Sequence, residues 1–460
     1  MKRTALLLAL ASFVLSACGP TAGDGKTTDN STSETSPGVS APEAPTGEGK
    51  LEGKLDVVAF AGGYGTDFYA DAAKEFQEKN PGLSITVDGD PKIWEKIRPR
   101  MVSGDVPDLM FPGWGMDQWG LVQDGSLMSL DKALDSPAYD GKGKWRDTFA
   151  PNLLKLCQKD GKTYMLPLYV MYYGWWYDPA VFAKNLWTPP QTFDELLALC
   201  AKIKAKGIAP IAFQGQYPYY MIEGMLLPWA ASIGGIDAVN DAQDLVPGAW
   251  KSPAMLKAAE MIVQLRDMGY FLDGCVGMSH TESQTQFLAG KAAMVPCGSW
   301  LESEMKKSMP PGVTVRYFNI PHVADGKGDP TTALIGIEPW MIPSKAKNPN
   351  AAVALYKYMT SLDKAKEFVQ KKASLMSIVG SENVDLPETL KAPMATVKGA
   401  KTVWAVQYRQ WYPAMQKDIE GALTSMLNKQ LTPEQFCDRC EAAATKARED
   451  DSIAKYKVPR

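Results

Sequence analysis

The run Leu55-Asp56-Val57-Val58-Ala59-Phe60 reads as a buried strand. A glycine-rich turn, Gly62-Gly63-Tyr64-Gly65, follows it, then a helix carrying Phe68, Ala72 and Phe76 on one face, a stop at Asn80-Pro81-Gly82, and a second strand from Leu83 to Val87. Strand, helix and strand in immediate succession form a βαβ unit, which closes as a parallel pair with a right-handed crossover. The glycines lack the third position of a dinucleotide fingerprint, so the turn reads as a loop where backbone or ligand comes close. The same alternation recurs along the chain. Pro107 to Phe111 is a short strand and Gly113-Trp114-Gly115 a loop. Gln191-Thr192-Phe193-Asp194-Glu195 opens a helix, and Ile208 to Phe213 is again a strand. A helix over Ala254 to Arg266, a helix and strand around Phe287 to Val295, and a helix from Ala351 to Met359 complete an α/β grammar.

Lys2 and Arg3 precede an apolar run from Ala5 to Leu15 that is too short to span a bilayer and reads as an export signal. It ends in Leu15-Ser16-Ala17-Cys18, which resembles the bacterial lipobox and implies lipidation of Cys18. Residues 19–50 are rich in Gly, Pro, Ser, Thr and acidic residues and hold no aromatic ring, so they are expected to form a disordered tether. Asn30-Ser31-Thr32 is a chance match to a glycosylation acceptor in such a setting. The remaining stretch, about 410 residues, exceeds what one core usually serves, so two domains are expected. No later segment is apolar enough to span a membrane. A net charge of −3, from 49 basic and 52 acidic residues, offers no polybasic surface for nucleic acid or anionic lipid.

Besides Cys18 there are six cysteines, Cys157, Cys200, Cys275, Cys297, Cys437 and Cys440, and outside the cytoplasm they permit disulfides without choosing among the connectivities. Cys437 and Cys440 form a CxxC, but Thr432-Pro433-Glu434-Gln435 is a capping-box start, which sets the pair on a helix with no preceding strand and argues against redox chemistry. The cysteines and histidines otherwise lack metal-ligand spacing, and no metal or cofactor is expected.

Four segments in consistent order carry a resemblance. Ser103-Gly104-Asp105-Val106-Pro107-Asp108 runs into Gly125-Ser126-Leu127 and Leu130-Asp131. Pro167-Leu168-Tyr169 leads through Gly174-Trp175-Trp176-Tyr177-Asp178 to Phe182 and Lys184. Phe287-Leu288-Ala289-Gly290-Lys291-Ala292-Ala293-Met294 precedes Gly298-Ser299-Trp300, and Gly336-Ile337-Glu338-Pro339-Trp340-Met341-Ile342 reads as a returning strand. Together they resemble the family 1 extracellular solute-binding proteins of sugar ABC transporters, with departures at Tyr169, where a small residue is usual, and at Trp175-Trp176. Gly62 to Gly65, the Gln214 to Tyr220 stretch and the helix end from Cys200 to Gly207 resemble the branch that binds N-acetylglucosamine and chitobiose.

The resemblance implies an α/β fold of two doubly wound lobes joined by a hinge, periplasmic binding protein-like and of type II. Lobe 1 would comprise residues 51–168 and 335–377, and lobe 2 residues 169–334 and 378–460, with crossovers near Leu168, Ile335 and Ser377. It further implies a carbohydrate ligand in the interlobe cleft, delivery to ABC transporter permease subunits, a monomer, and contact with the membrane only through the N-terminal lipid, outside the cytoplasm. Ligand binding would close the lobes about the hinge.

A pyranose has hydroxyls around its rim and C–H patches on its faces; aromatic rings cover the faces, while carboxylates and amides read the rim. The chain holds 13 Trp and 18 Tyr, several beside Gly or Pro in loops. The candidate ligand-binding residues are Tyr64 and Asp67 in the first βα turn, Trp114 and Asp117 after the Asp108 strand, Tyr219 and Glu223 after the Phe213 strand, and Trp300 after the Met294 strand. Glu338 and Trp340 in the returning strand and Trp404 complete the set; Trp404 is expected to share a helix face with Tyr408 and Trp411. Trp175 and Trp176 lie in a strand apolar on both faces, so at least one is expected to be buried. A secreted glycoside hydrolase would use the same residue types and needs two carboxylates flanking a bond. With two histidines, His280 and His322, and no HExxH, GxSxG or P-loop, the sequence disfavours an enzyme. A binding protein for a non-sugar ligand such as a peptide or polyamine would use the same architecture.

Overall fold

The computed structural model describes residues 41–459; Cys18, the export signal and most of the expected tether lie outside them. The last ten residues of the expected tether are docked. Ala44 is fully buried, its amide donates to the Ser129 carbonyl at 2.8 Å, and the Gly47 amide donates to Asn350 Oδ1 at 2.9 Å. One small apolar side chain with satisfied backbone partners is enough to hold a segment whose composition alone reads as coil.

Strand β1 (Gly53–Phe60) pairs in parallel with β2 (Leu83–Asp90) and β3 (Leu109–Phe111), in the order β2-β1-β3. Helix α1 (Asp67–Lys79) makes the first crossover and buries Phe68, Tyr69, Ala72, Ala73 and Phe76. Helix α2 (Ile93–Ser103) makes the second and ends at Gly104, whose φ of 81° is the left-handed cap that the Ser103-Gly104 pair supplies. Both faces of β1 are covered: Leu55, Val57 and Ala59 enter one hydrophobic cluster and Val58 the other.

A second, seven-stranded sheet is built on one long strand, Leu166–Tyr177, which is buried along nearly its whole length. It pairs antiparallel with Ala333–Trp340, Ala292–Gly298, Arg316–Phe318 and Leu375–Met376. Trp175 and Trp176 are both buried; their indole N–H groups donate to the Gly224 and Cys297 carbonyls at 3.0 and 3.2 Å. The two sheets touch where Met110 of β3 bridges Met341, the residue after Ala333–Trp340. Leu168 lies on Leu166–Tyr177, Ile335 on Ala333–Trp340, and Ser377 directly follows Leu375–Met376.

Local signals place the helices. Thr192 with Glu195, Ser279 with Glu282 and Thr432 with Gln435 form complete capping boxes at the starts of Phe193–Lys204, His280–Leu288 and Pro433–Glu449. Cys437 and Cys440 lie on the last of these helices, and all six cysteines of the described region are buried free thiols. Among the described residues, no helix is long and apolar enough to cross a membrane.

Candidate functional site

Loops at the carboxyl ends of the strands converge on a cavity of about 610 Å³, within the range of small-molecule sites. The turn after β1 brings Gly63 and Tyr64, and the loop after β3 brings Trp114. Tyr219, Tyr220 and Trp300 also line it. Gly63 is required where it stands: a Cβ there would meet the Cβ of Trp300 at 2.8 Å, so the glycine lets the first turn pack against the indole. Trp300 sits edge-on to Tyr173, with ring centroids 5.7 Å apart, and to Tyr220, 6.0 Å apart.

Tyr64 is buried. Its hydroxyl pairs with Ser299 Oγ at 2.6 Å and its ring meets Tyr169 edge-on at 4.8 Å, so the aromatic at position 169 supports Tyr64. Asp67 does not line the cavity. Lys372 Nζ binds Asp67 Oδ1 at 2.5 Å and the Tyr64 carbonyl at 2.7 Å. Burial works against the Asp67 carboxylate, but the Lys372 hydrogen bond and charge outweigh it and hold its pKa below the usual range. Asp117 caps the short helix Gln118–Gln123, its Oδ1 accepting from the Gly120 amide at 2.8 Å, and it borders an adjoining cavity instead.

The polar centre of the cleft is an ion pair between the candidate Glu223 and Arg409, a residue absent from the sequence-based candidates. Arg409 Nη1 lies 3.0 Å from Glu223 Oε1, and the guanidinium stacks 5.2 Å from the Trp114 ring and 4.6 Å from the Tyr219 ring. Burial raises the pKa of the Glu223 carboxyl, with Arg409 opposing that shift. Glu223 Oε2 has no hydrogen-bond partner. Trp94, Tyr217, His280 and Glu304 also reach the cavity, with His280 Nε2 3.2 Å from Glu304 Oε1. A basic residue between Tyr408 and Trp411 was the available signal for Arg409, since Arg is the cation that stacks on aromatic faces.

Besides Asp67 and Asp117, three further candidates lie elsewhere. Glu338 and Trp340 are fully buried behind α1: Tyr69 Oη and Trp340 Nε1 both donate to Glu338 Oε1, at 2.6 and 2.9 Å. The irregularity between Ile337 and Pro339 breaks the register of this strand, and the adjacent Ile337 and Pro339 are the residues that approach Trp114 and Arg409. Trp404 is on the strand Val403–Ala405, not on a helix, and pairs with Leu334. Its ring borders a different cavity, of about 750 Å³, lined by Asn240, Met376 and Val458 among others. The short helix of Tyr408 and Trp411 starts only after this strand ends, so the three aromatics share no helix face.

Residues 62–366 match the family model of the bacterial extracellular solute-binding proteins. This chain belongs to that family. Among curated relatives it is 27% identical to the diacetylchitobiose binding protein NgcE of Streptomyces coelicolor over 88% of this chain and 87% of that one. It is 25% identical to the multiple sugar-binding protein of Streptococcus mutans over 67% and 71% of the two chains. Among solved structures, a chitin oligosaccharide binding protein superposes with a TM-score of 0.74 at 22% identity, over 87% of this chain and all of the other. RafE in complex with raffinose superposes with a TM-score of 0.68 at 21% identity, over 86% and 99%. The fold of this solute-binding protein is therefore the two-lobed type II arrangement.

Proposed function

We propose that this protein captures an oligosaccharide of N-acetylglucosamine, chitobiose-like in type, and hands it to the permease of an ABC importer. The observation that carries the reading is the cavity wall, in which Tyr64, Trp114, Tyr219, Tyr220 and Trp300 gather, with charged groups confined to Arg409, His280, Glu304 and Lys92. Aromatic rings suit the apolar faces of a pyranose, and the confined polar groups suit its rim. The diacetylchitobiose specificity in the name of the Streptomyces coelicolor relative supports the choice of sugar. Of the candidates, Tyr64, Trp114, Tyr219, Glu223 and Trp300 act at this site, and Arg409 joins them.

In this reading residues 51–168 and 335–377 move against 169–334 and 378–460, and sugar stabilises the closed arrangement through contacts made only there. Cys18 carries the lipid, and the protein works as a monomer without turnover.

Thermal-shift and calorimetric screening against N-acetylglucosamine, chitobiose, raffinose and maltose, with chromatography of the sugar afterwards, tests the reading. Stabilisation by the N-acetylglucosamine sugars without product formation is expected, because a ligand that binds only the native state raises the midpoint. Stabilisation by peptides or polyamines alone would overturn the carbohydrate assignment, and released monosaccharide would make the protein a hydrolase.

A further inference from the structure

The chain ends in a tail, residues 450–458, that follows the helix Pro433–Glu449 and passes between two short helices. Tyr456 in this tail is only 7% exposed. Its ring stacks on Trp411, with centroids 5.4 Å apart and planes 13° from parallel, and meets Trp119 edge-on at 5.2 Å. Trp411 ends the helix Tyr408–Trp411, which carries Arg409. Trp119 belongs to Gln118–Gln123, the helix that the Trp114 loop leads into. Tyr456 is not in the wall of the aromatic cavity, yet it supports both of the elements from which Trp114 and Arg409 reach each other. From this arrangement, and resting on the lobe division and the carbohydrate reading above, we infer that the tail is a strap across the two lobes and that Tyr456 is a positioning residue for sugar binding, holding Trp114 and Arg409 at the approach the bound state needs.

The strap is fastened on both sides. Toward residues 169–334 and 378–460, the Tyr456 amide donates to Tyr412 Oη at 2.9 Å. The Val458 amide donates to Asp244 Oδ1 at 2.7 Å, and Lys457 Nζ donates to the Asp244 carbonyl at 2.9 Å. Toward residues 51–168, Gln123 Nε2 donates to the Ser452 carbonyl at 3.1 Å and Tyr456 Oη to the Trp119 carbonyl at 3.5 Å. Lys159 Nζ also lies 5.6 Å from the centre of the Tyr456 ring, within the range of a cation–π contact. Offset and edge-on ring pairs attract beyond the area they bury. Parting the lobes must therefore separate Tyr456 from Trp119 or from Trp411, and either separation exposes aromatic surface to water. The strap biases the sugar-free protein toward the arrangement in which Trp114 meets Arg409. A binding-competent state populated in advance raises the apparent affinity by removing that part of the conformational cost.

The test compares Tyr456→Phe, Tyr456→Leu and Gln123→Ala with the unmodified full chain, by small-angle scattering without sugar and by calorimetric titration with chitobiose. Phe keeps the stacked ring and the backbone bond to Tyr412, so Tyr456→Phe should match the unmodified chain in both measurements. Leu fills much of the space but cannot stack. Tyr456→Leu should enlarge the sugar-free radius of gyration and weaken chitobiose binding by about tenfold or more, following the loss of the competent population. Gln123→Ala, on an exposed side chain, should shift both readings the same way by a smaller amount without risk to the fold, and it carries the test if Tyr456→Leu does not fold. Unchanged scattering or unchanged affinity in these two variants, or a loss in Tyr456→Phe as large as in Tyr456→Leu, overturns the inference while leaving the sugar reading intact. If the unmodified chain binds no chitobiose, that choice of sugar fails. The sugar-free scattering then decides the strap by itself, expansion supporting it and an unchanged radius overturning it.

Discussion

Glu223 Oε1 and Arg409 Nη1 meet at 3.0 Å in the floor of the cleft, with side chains only 3% and 12% exposed. A pair so placed is stable only as a pair, because removing one partner leaves an uncompensated buried charge. Arg409→Met is therefore expected to destabilise the protein by about 3–5 kcal/mol in urea denaturation. The double replacement Glu223→Gln with Arg409→Met should recover a large part of that loss, which a double-mutant cycle measures directly.

Trp300 and Trp404 separate the two cavities by experiment. Trp300 borders the aromatic cavity, and Trp404 borders the one lined by Met376 and Val458. Trp300→Ala should weaken sugar binding by about 30-fold or more, the scale of a buried aromatic anchor at about 2 kcal/mol. Trp404→Ala should lower stability and leave sugar affinity unchanged, as read by calorimetry on both variants.

Gly63→Ala tests the close approach of the first turn. The added methyl would lie 2.8 Å from the Trp300 Cβ, so either the turn or the indole must shift. An overpacking cost of about 1–3 kcal/mol is expected in denaturant unfolding, accompanied by weaker sugar binding because the displaced ring is part of the cavity wall.

Glu338 links stability to pH. Burial pushes its carboxyl from 4.5 up to about 8, with hydrogen bonds from Tyr169, Tyr69 and Trp340 opposing the shift, so the native state holds a proton that the unfolded chain releases above about 4.5. Because the native state then binds more protons than the unfolded one, the stabilisation is complete below about 4.5 and is lost as pH rises through about 8. Glu338→Gln, neutral at every pH, should flatten this part of the stability profile measured by urea unfolding across that window. An unchanged slope would show that Glu338 is ionised in the native protein.

Much of this architecture was legible locally. The βαβ unit from Leu55 to Val87, the helix starts at Thr192, Ser279 and Thr432, and the loop positions of Trp114 and Trp300 all follow from signals within a few residues, namely apolar periodicity, caps and glycine turns. Four-segment order identified the family, and the family model spans residues 62–366. Position in a loop after a strand end carries information about a cleft because this fold gathers such loops at one place.

The rest was decided by partners far away in the chain. Arg409 is functional in this reading only because Glu223, Trp114 and Tyr219 surround it, and no local pattern reports a contact made across nearly two hundred residues or more. Glu338 faces Tyr69 instead of the cleft because a register shift between Ile337 and Pro339 sets which side of the strand it occupies, and register depends on the neighbouring strand. Trp404 joins a sheet because Leu334 is there to pair with it, and Ala44 docks because Ser129 and Pro42 complete its backbone pairing. The sequence by itself determined the elements and their order, since periodicity, capping and turn chemistry are short-range. Only the tertiary structure decided which side chains share a cavity, since burial, charge pairing and strand register are properties of residues brought together from distant parts of the chain.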